Sequence, residues 1–367
     1  MINRILNKIK RFNEIRFRFD LPQKKNIIQY DELNSNILKK MIKKDFNIIP
    51  RHKIEIYFWI FFKQVIFFDF KFKTYFKNYV KFTSAKVVIN MIDNDLSFYS
   101  LKDVASNLNF ISIQNGIRKK NSFMFKNKTK NKLRCDHIFV MNKYYKKEYE
   151  KIIQSNYHIL GNYKNNMVKI NRTKYRNTFL FLSQYKKHLF QENYILNFFE
   201  SIALYFSKSK KKINILLKSK DISGQNDEIE FYKKFFKSNC IFHKCTSWHE
   251  SYKTVDKFEN IIFMDTTLGS EAISRKKKVA IFSRRKNKYV KEYFGWPYVI
   301  KKKCNFFLAN EMSYNEIKRV LDNIFYCTQI DWEKNYYKII KNQKNNNYNN
   351  DKLNEIINNI LKKSHLN

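Results

Sequence analysis

The stretch that most limits what this chain can fold into runs from Asn260 to Ser283, NIIFMDTTLGSEAISRKKKVAIFS. Ile261 to Met264 is a short apolar run and reads as a buried strand. It ends at Asp265, and Thr266, Thr267, Leu268, Gly269, Ser270 and Glu271 follow as a hydroxyl-rich turn. Ala272 to Arg275 reads as helix and Val279 to Phe282 as the next strand. Strand, tight turn, helix and strand make the half of a βαβ unit where open parallel sheets bind ligands. The first N–H groups of such a helix lack partners within it, and its dipole is positive at that end, so the turn attracts phosphate. Thr266, Thr267 and Ser270 add hydroxyl donors, and Glu271, one turn in, can accept from a sugar hydroxyl. The plainer alternative is that the threonines only cap the helix and Glu271 only complements its dipole. The local pattern leaves both open.

A length of 367 residues suggests two domains, and 44% hydrophobic with 17% aromatic residues exclude a disordered chain. The formal net charge is +41, from 73 Lys plus Arg against 32 Asp plus Glu. Such a balance points in general to nucleic acid or an anionic membrane. Here the lysines come with many Asn, Ile, Phe and Tyr and with only 5 Gly and 3 Pro, the pattern of A/T-rich codons. Lysine also outweighs arginine, whereas groove readers depend on arginine forks. No specific nucleic-acid partner is therefore expected, although so basic a surface favours phosphate-bearing donors and an anionic lipid leaflet. The five cysteines (135, 240, 245, 304 and 327) include no CxxC pair, which suggests a reduced, cytoplasmic protein without a disulfide frame or zinc site. The N-terminal MINRILNKIKRF has no continuous apolar run, so no signal peptide is expected. Ile56 to Phe70, IYFWIFFKQVIFFDF, is short for a membrane span and is broken by Lys63 and Asp69. It is expected to be a buried or half-buried helix, with a helix lying in the membrane interface as the alternative.

Strand and helix patterns alternate along the chain. Strands are expected at Lys25–Tyr30, Ala85–Met91, Asn109–Ile113, Asp136–Met141, Thr178–Ser183 and Ile213–Lys218. Helices are expected at Asp31–Lys44, Leu101–Leu108, Lys143–Gln154, Glu192–Ser207 and Trp248–Phe258, with further helices after Ser313. The polar run around Tyr163–Asn177 marks a boundary. It gives a first domain over 1–165, a second over 166–330 and a C-terminal helical tail over 331–367. The fold class expected is α/β, with two facing doubly wound, Rossmann-like domains.

No GxGxxG, Walker, HExxH or GxSxG motif is present, and the seven histidines do not cluster as ligands, so no metal site is assigned. Asp93-Asn94-Asp95 could hold a cation, but such triplets more often end a strand and cap the next helix. Three polar strand ends remain: Asp93-Asn94, Gln114-Asn115-Gly116 with Arg118, and Asp265 to Glu271. The glycine at 116 is read as supplying a sharp turn. A ligand held between two domains would meet all three, as in glycosyltransferases of the GT-B type.

The segments VVINMIDNDLSFYSL, FISIQNGIR, LGNYKNN, FLSQY, SWHESYKTVDKFENIIFMDTTLGSEAISRKKKVAIFS and FGWP resemble the surface carbohydrate biosynthesis proteins of bacterial O-antigen and capsule clusters. The similarity runs from about Lys25 to about residue 330. Thr266-Thr267 stands where that pattern usually has Ser-Thr, which keeps the hydroxyls. The resemblance implies a GT-B-like fold and a transferase role in lipopolysaccharide or capsule assembly, without naming a sugar. The hydroxyl–helix element is also similar to that of glycerophosphotransferases of teichoic acid synthesis.

The expected protein is a cytoplasmic glycosyltransferase, peripheral on the inner face of the membrane. It would move a sugar from a nucleotide sugar, used as substrate, to a lipid-linked glycan, without cofactor or metal. Thr266, Thr267 and Ser270, with the N–H groups of Leu268 and Gly269, would hold the donor phosphates, Asp265 would belong to the same donor site, and Arg275 or a lysine of 276–278 would add positive charge. Glu271 would contact ribose or base, and Asp93 would be the general base. Asn94, Gln114, Asn115, Gly116 and Arg118 would hold the acceptor. The rival expectations are a basic nucleic-acid-binding protein and a non-catalytic relative of such enzymes.

Overall fold

Continuous apolar runs become strands at the centre of two parallel sheets, because a parallel sheet is covered on both faces and needs apolar side chains on each. The computed structural model describes residues 16–50, 55–118, 133–185, 193–264, 266–282, 306–309, 312–339 and 350–363. They divide into two units. The first takes residues up to 115, 123–167 and 347–367; the second takes 116–122 and 168–346.

In the first unit the strands are β1 (Arg16–Arg18), β2 (Ile27–Tyr30), β3 (Asn47–Ile49), β4 (Glu55–Tyr57), β5 (Val87–Asn90), β6 (Asn109–Ile113), β7 (Leu133–Val140) and β8 (Ile153–Ile159). Six of them form one parallel sheet in the order β3-β2-β5-β6-β7-β8, while β1 and β4 pair with each other. Every residue of β2 and β5 is buried. The chain leaves β2 in one direction to β3 and resumes on the other side at β5, so the strand order reverses between β2 and β5.

The second unit contains β9 (Tyr175–Leu182), β10 (Ile213–Leu216), β11 (Cys240–His243), β12 (Phe258–Phe263), β13 (Lys278–Phe282) and β14 (Leu308–Ala309). Their order, β11-β10-β9-β12-β13-β14, is that of a dinucleotide-type Rossmann sheet and reverses between β9 and β12. The helix Asn193–Lys208 covers this sheet with the face expected from its periodicity: Ile195, Phe198, Phe199, Ile202 and Phe206 are all buried. Ring contacts fix its seat, Phe181 to Phe199 at 5.7 Å and Phe198 to Phe282 at 5.2 Å.

Several expected elements move. The helix expected at Leu101–Leu108 is instead Leu96–Leu101, because Asp95 Oδ1 accepts from Ser97 N at 3.0 Å and starts it early. The helix expected over Lys143–Gln154 stops at Glu150, and Ile153 opens the edge strand β8. The apolar stretch Ile56–Phe70 is not a buried helix. It is helical over Phe58–Ile66, with only Ile60 and Gln64 buried. The span 331–367 does not behave as one tail. Gln329–Ile339 belongs to the second unit and Asp351–Lys363 to the first. Leu353 and Ile357 are fully buried there, and Asn350, just before this helix, bonds Asn166 at 2.9 Å. The expected loops at 121–132 and 284–291, the FGWP motif and nearly all of 341–350 lie outside the described residues. Among the described residues no helix is long and apolar enough to cross a membrane.

Leu353 should therefore be a core residue of the first unit. Leu353→Ala should lower its stability by about 2–5 kcal/mol in a urea titration followed by tyrosine fluorescence. The second unit's transition should stay in place.

Candidate functional site

The second sheet reverses its order between β9 and β12, and the sequence after β12 is the helix Thr267–Ser274. Open α/β sheets bind ligands at such a reversal. Packing dictates how this helix starts. A Cβ placed on Gly269 would lie 2.1 Å from the ring of buried Phe263, so only glycine lets the first turn sit on the end of β12. Thr266 stands at the N-cap position, yet its own side chain makes no cap hydrogen bond. The capping alternative raised by the sequence is thus not what the threonine does. Its hydroxyl and that of Thr267 are half-buried, as is Leu268. Ser270 turns inward instead, its Oγ donating to Thr267 O at 2.8 Å, so it is not one of the outward donors. Asp265 lies outside the described residues.

Glu271 is 6% exposed and accepts from the Tyr252 hydroxyl at Oε2. Tyr252 comes from the helix Trp248–Lys257, and no spacing in the sequence pairs it with Glu271.

Arg275 does not face a ligand. Its side chain is 1% exposed and grips Asp256 through two bonds, Nε to Oδ1 at 2.7 Å and Nη2 to Oδ2 at 2.6 Å. Nη1 also donates to Val168 O at 3.0 Å, and Nη2 to Lys169 O at 3.2 Å. Asp256 Oδ2 accepts in turn from Asn171 N at 2.9 Å. Four of the guanidinium's five N–H groups are used in joining the segment 168–171, the helix Trp248–Lys257 and the end of the helix Thr267–Ser274. The neighbouring lysines are used in a similar way. Lys277 donates to Thr173 Oγ1 at 2.8 Å and to Asp256 O, and burial pushes its pKa down to about 8. Lys278 donates to Cys327 O at 3.0 Å. Lys276 is the one of the three that is exposed.

The first unit shows a different use of its polar strand ends. Asp93 is 0% exposed, with Oδ1 accepting from Asn115 N at 3.2 Å and Oδ2 from the Tyr149 hydroxyl. Tyr99 donates to its backbone carbonyl at 2.6 Å. The carboxylate therefore ties the end of β5 to the ends of β6 and of the helix Lys143–Glu150. A base role would require that tie to open. Gln114 is equally buried, and its Oε1 accepts from Met141 N at 2.9 Å, joining the ends of β6 and β7. Asn94, Asn115 and Arg118 are half-buried. Gly116 is not needed for a left-handed turn: among the described glycines only Gly161 has positive φ. Gly116 groups with the second unit, and a Cβ there would stand 3.6 Å from Thr267 Oγ1.

A tie of the same kind in the second unit escaped the sequence reading. Glu228 is 0% exposed and accepts from the Ser183 hydroxyl, from Lys218 N at 3.0 Å and from Ser219 N at 3.0 Å. It binds the ends of β9 and β10 together. A glutamate inside a long amphipathic helix carries no signal of this in the sequence. Among the described residues no group of three or more His, Cys, Asp or Glu side chains could hold a metal ion.

Two Rossmann-like units in one chain define a GT-B-like fold. Solved structures share it at low identity. The UDP-GlcNAc 2-epimerase of Methanocaldococcus jannaschii, in complex with UDP-GlcNAc and UDP, is 12% identical with a TM-score of 0.51, over 90% of this chain and 98% of that one. S. aureus MnaA with UDP is 11% identical with a TM-score of 0.53, over 92% and 96%. The wall teichoic acid polymerase TagF, soaked with CDPG, is 11% identical with a TM-score of 0.52, over 99% and 96%. At these identities the likeness concerns the fold. A search of curated proteins gives no match. The model of a family described as "putative O-antigen biosynthesis protein" matches residues 111–363, and the chain belongs to that family.

Two substitutions test this geometry. Gly269→Ala should cost about 1–3 kcal/mol of stability through its overlap with Phe263, and Phe263→Leu in the same chain should recover part of the loss in a thermal melt. Arg275→Ala strands the Asp256 carboxylate in a buried place, so it should lose about 3–5 kcal/mol in denaturant titration. Arg275→Lys should recover little, since an ammonium cannot replace the two-pronged contact.

Proposed function

We propose that the chain is a glycosyltransferase that moves a sugar from a nucleotide-activated donor to a lipid-linked glycan of the bacterial surface. The observation that carries this reading is the helix Thr267–Ser274, which begins, without a cap bond from the Thr266 side chain, at the strand-order reversal of the second sheet. The N–H groups of Leu268 and Gly269, with the hydroxyls of Thr266 and Thr267, receive the donor's diphosphate. The helix dipole steadies the charge that builds on the leaving nucleotide. That charge falls on fixed backbone dipoles, so the reaction is proposed to need no resident metal. Arg275, Lys277 and Lys278 take no part because their donors are spent inside the fold. Exposed Lys276 is the cation of this group that can reach a phosphate. Glu271 accepts from a hydroxyl of the donor, with Tyr252 orienting its carboxylate. Asn94, Asn115 and Arg118 belong to the acceptor side. Membership of the O-antigen family supports a glycan as the product. The epimerase and polymerase structures were solved with UDP-GlcNAc, UDP or CDPG, which supports a nucleotide-linked donor.

A thermal-shift panel of UDP-, GDP-, CMP- and CDP-linked donors tests this proposal. At about 100 times its Kd, one donor class should stabilise the protein by about 2.7 kcal/mol. EDTA should leave that shift unchanged. Thr267→Val and Glu271→Gln should reduce the shift at least about tenfold in affinity, while the unliganded melting temperature stays near that of the parent. The proposal fails if no donor shifts the melt, or if both variants bind like the parent.

A further inference from the structure

The apolar stretch that the sequence reads as a buried or half-buried helix, with an interfacial helix as the alternative, is mostly outside. In the helix Phe58–Ile66 only Ile60 and Gln64 are buried. Trp59 is 51% exposed, Ile66 57%, Phe67 71%, Phe68 85% and Phe70 61%. Phe19, on the chain just after β1, is 66% exposed and joins the same surface. Its ring lies 5.1 Å from that of Phe58, and its carbonyl accepts from Trp59 Nε1 at 2.8 Å. Phe58 stacks on Phe62 at 5.8 Å, and Phe61 meets Phe70 at 6.2 Å. Phe17 touches both Phe58 and Phe61 at 6.3 and 5.8 Å, so the rings from Phe19 to Phe70 are linked, and exposed Phe67 and Phe68 lie in the turn between them.

This face is held outward by construction. Phe68 has φ 50°, a left-handed backbone that a bulky side chain adopts only when its surroundings impose it. What imposes it is Gln64, buried on the inner side. Its amide donates to Asp69 O at 2.7 Å and to Lys71 O at 3.0 Å. Asp69 adds bonds from Thr74 Oγ1 at 2.7 Å and from Lys71 N at 3.2 Å. Gln64 and Asp69, two of the three polar residues that interrupt the apolar run, are thus the clamps of a turn that presents Phe67 and Phe68.

We propose that this face docks the protein on a lipid bilayer bearing anionic headgroups. Trp and Phe on the outer side of a short helix suit the boundary between headgroups and acyl chains. Lys63 and Lys71 are exposed beside the rings, Lys77 is exposed one helix further on and Arg16 at the start of β1, where they can meet anionic headgroups. Charge also selects against the other apolar occupant, a second copy of this chain, because two proteins of net charge +41 repel each other. The docking does not depend on the donor reading and can be tested without any sugar.

The experiment is co-sedimentation of the full chain with vesicles of phosphatidylcholine alone and of phosphatidylcholine with phosphatidylglycerol. The parent should bind the phosphatidylglycerol vesicles, and binding should weaken with salt. Phe67→Ser combined with Phe68→Ser should reduce binding about tenfold or more, from the apolar area no longer buried. Both side chains are largely exposed, so the melting temperature should hold. Lys63→Glu with Lys71→Glu should weaken binding and flatten its salt dependence. The proposal is overturned if the parent ignores phosphatidylglycerol vesicles, or if the phenylalanine pair can be replaced without loss. It is also overturned if that replacement dissolves a dimer formed without lipid, which would give the face to a second copy.

Discussion

The bidentate contact between Arg275 and Asp256 holds together the segments that flank the helix Thr267–Ser274 in the second unit. Both side chains are removed from water, at 1% and 0% exposure, and such a pair persists only where further hydrogen bonds satisfy the remaining donors and acceptors. Here they do. The carbonyls of Val168 and Lys169 take the spare guanidinium N–H groups, and Asn171 N fills a carboxylate lone pair. The pair fixes where the chain enters the second unit, where the helix Trp248–Lys257 runs and where the helix Thr267–Ser274 ends. The other end of that last helix is set by the absence of a Cβ on Gly269 against Phe263. An anion site made of backbone N–H groups needs this rigidity, because its donors cannot be re-aimed by rotating a side chain.

Buried carboxylates recur at the carboxyl ends of the strands. Asp93 closes the first sheet's edge around Asn115 and Tyr149, and Glu228 closes the second sheet's edge around Ser183, Lys218 and Ser219. In a chain with so few glycines and prolines, turns are not fixed by backbone preference, and acidic side chains accepting backbone N–H groups do that work instead. Among the described residues the buried cations are Arg275, Lys277 and Lys278, while Asp31, Asp93, Glu228, Asp256 and Glu271 are acidic groups spent on the interior.

The division between what could and could not be read follows the range of the interactions. Apolar runs such as Val87–Ile89 and Ile261–Phe263 announce themselves as parallel strands, since their side chains meet apolar cover on both faces wherever they are placed. The periodic face of the helix Asn193–Lys208 is equally plain. Short edge strands such as Asn47–Ile49 and Leu308–Ala309 have too few residues to show a pattern, and neighbours across the sheet decide them. Arg275 looked like a cation available to a phosphate because it closely follows the hydroxyl-rich turn in sequence. Its partner is 19 residues away on another helix, and only folding brings them together.

The sequence by itself determined the alternation of strand and helix, the α/β class and the hydroxyl–glycine–glutamate turn after β12. These rest on side-chain polarity and spacing within a few residues. Tertiary structure alone decided which polar groups are left for a ligand. Arg275, Asp93 and Ser270 are consumed within the fold, while Thr266 and Thr267 stand at a helix start that the Thr266 side chain does not cap. It also decided that the most apolar stretch of the chain faces outward. Two polar residues, Gln64 and Asp69, clamp a turn whose geometry hydrophobicity alone cannot express.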